Sequence, residues 1–148
     1  MLVLTLVLAA AASAAAARVV TWQLLARGVA TKNDGAATIG ILAPSKAAAH
    51  RLVLRVPVQA AQTVLRLDYG RRVALGIFGQ FGCRDGRLRI AGVERTGTLL
   101  RVRLALRPLT AGTVECLAIY PTFRLVAIQR SDLGPGLPTR VAVSLAPA

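Results

Sequence analysis

The sequence is poor in the side chains that most enzymes use for acid–base, nucleophilic or metal chemistry. It contains one histidine, His50, and six acidic residues against nineteen lysines and arginines. A hydrolase of the serine or cysteine kind needs a general base, and a metal site needs several ligands. A triad with Ser131 and Asp132 would rest on His50, which we expect at the surface beside a helix end. We therefore expect no enzyme, no cofactor and no metal site.

Phosphate-binding and base-stacking motifs are also missing. Gly76, Gly79 and Gly82 are spaced by three residues, which fits neither the dinucleotide fingerprint nor the phosphate loop. Proteins that bind single-stranded nucleic acid pair a basic groove with exposed aromatic side chains, and aromatic residues make up 4% of this chain. We expect core packing for most of them.

Long apolar runs are confined to the start of the chain. Residues 1–17 carry no charged side chain, and an apolar block passes there into an alanine stretch broken by Ser13. This pattern is typical of a signal peptide, with the cut just before Arg18. The apolar block is shorter than the roughly 20 residues that span a bilayer. We predict a cleaved leader over residues 1–17, a single mature domain over residues 18–148, no transmembrane segment after cleavage, and a secreted or periplasmic location.

Positively charged side chains far outnumber negatively charged ones in the rest of the chain. The net charge is +13, and nearly all the basic residues are arginines. Such a surface attracts nucleic acid, acidic polymers or anionic surfaces. The alternative is the codon usage of a GC-rich genome, which the even spread of arginine along the chain favours.

Short apolar segments separated by Gly, Asp, Thr and Pro predict a mainly β fold. We expect an antiparallel sheet folded into a sandwich or partly open barrel, with one short helix near residues 45–52 that Ser45 caps. The expected strands cover residues 19–26, 38–42, 64–69, 73–78, 87–93, 98–106, 114–120 and 123–129, with a weaker one at 141–145.

The clearest local prediction is a hairpin around Thr96-Gly97. In its second strand apolar residues alternate with Arg101, Arg103 and, at its end, Arg107, so one face is apolar and the other basic. A β-bulge at Ala91-Gly92 keeps the apolar residues of the first strand in phase with the second. It sets Ile90 opposite Val102 and Leu88 opposite Leu104. We expect Leu88, Ile90, Val93, Leu100, Val102 and Leu104 to share the buried face.

The two cysteines, Cys83 and Cys116, are an even number in a chain with an export signal, which favours one disulfide. A pair of buried free thiols is the alternative. The bridge would tie the loop around residues 79–84 to the segment that leads into Tyr120-Pro121.

The region of about residues 64–130 resembles the C-terminal domain of the PrcB family, small bacterial proteins named for association with a protease complex. The resemblance runs through Asp68-Tyr69, VALGIFGQFG, RLRIAGVERTG, LLRVRLAL, Pro108, Tyr120-Pro121 and FRLVAIQR. Where that family often carries Thr-Gly-Gly-Tyr, this chain has residues 82–86, GCRDG. The resemblance implies a secreted, non-catalytic domain associated with a protease.

The sequence thus favours a secreted, non-catalytic binding or accessory module whose partner is a protease or another secreted protein. Two alternatives stay open. One is a protease inhibitor that presents loops 79–86 and 107–113. The other is a binder of nucleic acid or cell-surface polyanion through the face of Arg101, Arg103 and Arg107. Ionic strength separates them, because a polyanion complex weakens steeply with salt.

Overall fold

The computed structural model describes residues 15–33 and 35–147, so all but residues 15–17 of the predicted signal peptide lies outside the described residues. Three short α-helices are present there: α1 (His50–Val53), α2 (Val58–Leu65) and α3 (Arg130–Leu133), with a 3-10 helix at Gly82–Arg87. The strands are β1 (Arg18–Val19), β2 (Trp22–Val29), β3 (Ile39–Ala43), β4 (Arg72–Gly79), β5 (Leu88–Thr96), β6 (Leu99–Leu106), β7 (Thr122–Gln129) and β8 (Arg140–Leu145).

The strands form two four-stranded sheets. Sheet A has the order β1-β5-β6-β8, and sheet B has the order β2-β7-β4-β3. All neighbours are antiparallel except β6 and β8. The predicted mainly β, sandwich-like fold is therefore confirmed. None of the described helices is long and apolar enough to cross a bilayer.

Two apolar layers hold the sheets and helices together. One layer lies between the sheets, where side chains of β4 and β7 meet those of β5 and β6. The other lies between the opposite face of sheet B and the helices α1 and α2. Strands β4 and β7 are therefore buried on both faces, which is why they read as continuous apolar runs rather than alternating ones.

The helical layer is larger than the sequence predicted. Helix α1 begins at His50, later than the expected helix of residues 45–52, and its N-cap Ala49 makes no side-chain capping bond. The Ser45 hydroxyl accepts a hydrogen bond from the Ala48 amide at 3.1 Å, so Ser45 caps the preceding turn and not α1. Helix α2 was not predicted, and the strand expected at residues 64–69 is wrong. Val64 ends the apolar face of α2, and the chain then turns so that the Tyr69 hydroxyl donates to the Val64 carbonyl at 3.0 Å.

The β5–β6 hairpin has the predicted bulge and the predicted buried face. Its register shifts between Ile90 and Gly92, and all six apolar residues expected inside are buried. The predicted pairing is wrong by two residues, since Ile90 faces Leu104 rather than Val102, and the turn is Gly97-Thr98. Side chains alternate with a period of two, so this slip leaves every side chain on its predicted face.

Candidate functional site

The predicted disulfide is present. Cys83 and Cys116 are bonded with their Cα atoms 5.5 Å apart, and no described cysteine is free. Cys83 lies in the 3-10 helix, and Cys116 lies in the irregular stretch of residues 107–121 that joins β6 to β7. We call that stretch the bridged segment. The disulfide fixes its middle to the body of the protein, as the sequence predicted.

Hydrogen bonds hold the bridged segment near the disulfide. The Gly82 amide donates to the Tyr120 carbonyl at 3.1 Å, and the Cys83 amide donates to the Ala118 carbonyl at 3.2 Å. At the other end, the Arg87 guanidinium donates to the Arg107 carbonyl at 2.7 Å and forms an ion pair with Glu115. The segment therefore has a defined backbone path although it belongs to neither a helix nor a strand.

Apolar side chains of the bridged segment face solvent. Val114 is 92% exposed, Leu117 is 84% exposed and Ile119 is 70% exposed. The strand predicted at residues 114–120 is wrong, because these residues pair with no strand and cover no core. Several large apolar side chains exposed on one short segment are unusual for a protein surface and are typical of an interaction site.

The two loops that the sequence proposed for presentation differ in exposure. Residues 107–113 are exposed throughout, whereas most of residues 79–86 are not. Phe81 packs into the layer between the sheets, and Gly82 lies under the bridged segment. The 79–86 loop is thus the platform on which the bridged segment rests.

Gly82 is the position where that platform leaves no room for a side chain. It has a φ of +52°, and a Cβ atom there would lie 2.0 Å from the Ala118 carbonyl oxygen. We expect Gly82→Ala to lower the free energy of unfolding by about 2–3 kcal/mol, through backbone strain and this clash. Urea unfolding with Gly86→Ala as control tests this, because a Cβ at Gly86 meets nothing within 4 Å. Equal unfolding midpoints for the two variants would contradict the assignment.

A buried ion pair holds the 79–86 loop against strand β7. Arg124 of β7 is only 4% exposed, and its guanidinium is paired with the Asp85 carboxylate. The same guanidinium donates to the carbonyls of Asp85 at 2.7 Å and Leu88 at 2.9 Å. Sequence reasoning missed Arg124, although an arginine inside the apolar run FRLVAIQ is the signal that could have found it.

The predicted basic residues lie on the outer side of sheet A. Arg101 and Arg103 are exposed on β6, and Arg107 is exposed just beyond its end, at the start of the bridged segment. Arg103 is paired with Glu94 of β5 at 2.6 Å. The structure therefore brings the three arginines to one side of the protein.

The remaining polar candidates from the sequence are His50, Ser131 and Asp132. His50 is exposed, as expected, and the described residues contain no group of three or more His, Cys, Asp or Glu side chains placed to hold a metal. The Asp132 carboxylate accepts a hydrogen bond from the Thr21 hydroxyl. Burial raises the pKa of Tyr69 above its ordinary value, because the phenolate would lose solvation.

An open groove of about 480 Å³ adjoins the bridged segment, lined in part by Leu106, Pro108, Leu109 and Arg84. Its lining combines these three apolar residues with three arginines and one carboxylate, which are Arg84, Arg87, Arg107 and Glu115. Comparison of the chain with protein-family models, curated proteins and solved structures found no match. What the site can do therefore rests on the geometry of its own residues.

Proposed function

We propose that this protein is an exported, non-catalytic binding or accessory module that holds a protein partner through the bridged segment. The observation that carries the proposal is the exposure of Val114, Leu117 and Ile119 on a segment that a disulfide fixes in place. Apolar side chains of this size stabilise a complex by leaving water when a partner covers them.

Preorganisation supports the same proposal. A flexible loop loses conformational entropy when it binds, and this opposes the gain from apolar contact. Here the disulfide, the bonds from Gly82 and Cys83, and the Arg87 contacts have already ordered the segment. Binding then loses less conformational entropy, so the same apolar contacts give a higher affinity.

Export is part of the proposal because of the leader sequence and the disulfide. Residues 1–17 have the pattern of a signal peptide, and a structural disulfide is typical of an oxidising compartment. The resemblance to the PrcB family adds a partner class, a protease or an assembly that contains one. We propose a secreted or periplasmic accessory role on that basis.

Inhibition of the protease is the second candidate, favoured by the exposure of residues 107–113. An inhibitor inserts an exposed loop into the cleft, and the bridged segment is the part of this protein that can do so. The two roles differ in outcome. An inhibitor abolishes cleavage of a small peptide substrate by the bound protease, whereas an accessory module leaves that cleavage in place.

Leu117→Asp tests the proposed interface. The partner would first be retained from the native secreted fraction, identified and purified, and its Kd then measured with wild type and variants. We expect Leu117→Asp to weaken binding about 30-fold, the loss of about 2 kcal/mol that defines an interface hot spot. Because Leu117 is 84% exposed, the urea midpoint should stay unchanged.

Leu54→Asp is the matched control, since Leu54 is 72% exposed but lies at the end of α1 in the helical layer. We expect it to leave the Kd within about twofold. Affinity should also change little between low and high salt, as apolar contacts require. Equal weakening by both variants would place the interface elsewhere.

A further inference from the structure

The outer face of sheet A carries a group of arginines, and only one of them, Arg107, belongs to the bridged segment that is proposed to hold a protein partner. We call it the basic face and define it by five exposed residues from β5, β6, β8 and the end of β6. They are Arg89, Arg101, Arg103, Arg107 and Arg140. Arg89 and Arg140 join the three arginines singled out from the sequence because β5 and β8 flank β6 on its two sides.

Little negative charge offsets the basic face. Glu94 is paired with Arg103 at 2.6 Å. The side chains of Arg89, Arg101, Arg107 and Arg140 form no ion pair with a carboxylate in the described part of the chain. The field of four uncompensated guanidinium groups therefore points to solvent from one side of the sheet, and it attracts anions there.

The sheet sets the spacing of these charges. Arg101 and Arg103 are two residues apart on β6, so their Cα atoms lie about 6.6 Å apart. The strands on either side of β6 lie about 4.8 Å from it. From Leu99 to Arg107 the row along β6 extends about 26 Å. The sheet therefore holds the backbone of these arginines at fixed positions along one row, which we call the stripe, rather than on a mobile tail.

Small residues keep the stripe open. Ala105 on β6 and Ala142 and Ser144 on β8 have the same outward direction as the arginines, by the alternation of the strands. At the bulge, Gly92 lies under the Arg103 guanidinium, where a Cβ atom would come within 3.0 Å of it. Between Arg101 and Arg107 a chain of repeating units can therefore lie along the stripe over small residues, and Leu99 is the one large apolar side chain of β6 on this face.

We infer that the basic face binds a linear polymer of phosphate groups. Arginine forks match phosphate oxygens, and a tetrahedral phosphate accepts hydrogen bonds from two guanidinium groups that approach it from neighbouring strands. A carboxylate holds its lone pairs in one plane, so guanidinium groups that approach it from two neighbouring strands fit it less well. No aromatic residue lies on β1, β5, β6 or β8, so the face offers no platform for stacking bases. Recognition is then by repeated charge alone.

Long-chain inorganic polyphosphate is the probe, used with the purified full chain over a series of salt concentrations. With about four phosphate contacts, log K should fall against log salt with a slope of about −3, taking the value per contact of a flexible single strand. Arg101→Gln/Arg140→Gln, which removes two of the four uncompensated arginines, should weaken binding at least tenfold and bring the slope closer to zero by about 1.4. Glu94→Gln should strengthen binding severalfold, because it removes the one carboxylate of the face.

Lys46→Gln/Arg66→Gln is the control, since both residues are exposed on the helical side of the protein and the net charge falls by the same amount. It should change polyphosphate affinity less than threefold. Leu117→Asp should also leave the polyphosphate affinity unchanged. The polyphosphate inference and the proposed protein-binding role can therefore fail independently of each other.

Other results would overturn the inference. Equal weakening by the two double variants would mean diffuse attraction to net charge. Polygalacturonate of equal length that binds as tightly would reject phosphate as the ligand. Phosphatidylglycerol vesicles that bind more tightly than the polymer would assign the face to a membrane surface instead. An undetectable complex at low salt would end the proposal.

Discussion

Replacing Arg124 by methionine is expected to lower the free energy of unfolding by about 3–5 kcal/mol, the cost of breaking a buried ion pair from one side. The guanidinium is almost fully buried and serves the Asp85 carboxylate and two carbonyl oxygens at once. Methionine fills a similar volume but donates no hydrogen bond. The Asp85 carboxylate and both carbonyl oxygens then lose the guanidinium that donates to them, at a buried site where water can poorly take its place. Urea unfolding measures the difference.

Arg103→Met is the matched control, because Arg103 also pairs with a carboxylate but at the surface. Exposed pairs contribute about 0–1 kcal/mol, so the unfolding midpoint should hardly move. Asp85→Asn added to Arg124→Met should recover part of the loss, since it removes the orphaned charge. A loss below about 1 kcal/mol in Arg124→Met would mean that water reaches the pair in solution.

Side-chain periodicity explains why much of the β fold could be predicted from the sequence. Val73 to Phe78 form an unbroken apolar run, which a strand buried on both faces requires, and β4 is such a strand. In the hairpin, alternation assigned Leu100 inward and Arg101 outward. That assignment survived a register error of two residues because the alternation repeats every two.

The parts that could not be predicted depend on contacts distant in sequence. Residues 114–120 form a mostly apolar run, which predicted a strand, but they pair with no strand and instead accept hydrogen bonds from the amides of Gly82 and Cys83 in the 3-10 helix. The apolar pattern of helix α2 is too short to predict a helix from the sequence. The helix is stabilised by packing against sheet B. Arg124 could be placed in β7, but its partner Asp85 is 39 residues away.

Of the candidate site, the disulfide and the arginines Arg101, Arg103 and Arg107 followed from the sequence. The exposure of the apolar residues of the bridged segment did not, because the apolar run that predicted a strand there implied burial. Arg89 and Arg140 also needed the sheet order, since nothing in their local sequence sets them beside Arg101. The site is thus a product of topology more than of any local motif.

Replacing both cysteines, Cys83→Ala with Cys116→Ala, is expected to have two separable effects. The first is a loss of about 3–4 kcal/mol of unfolding free energy, the chain-entropy value for a loop with a sequence separation of 33. The second is local. Without the bond, the bridged segment keeps only a few hydrogen bonds to the 3-10 helix and the Arg87 contacts, so we expect it to open more often than the sheets.

Hydrogen exchange separates the two effects, since it reports the opening of each amide. In the double variant, the amides of Gly82 and Cys83, which donate to the bridged segment, should lose protection more than those of β5 and β6. Partner affinity should fall about tenfold, because the segment must now be ordered on binding. Polyphosphate affinity should stay within about twofold, because the ladder that positions the basic face is intact. Equal loss of protection throughout the chain would show that the disulfide stabilises the whole fold without ordering the segment, and the case for a preorganised binding segment would then fail.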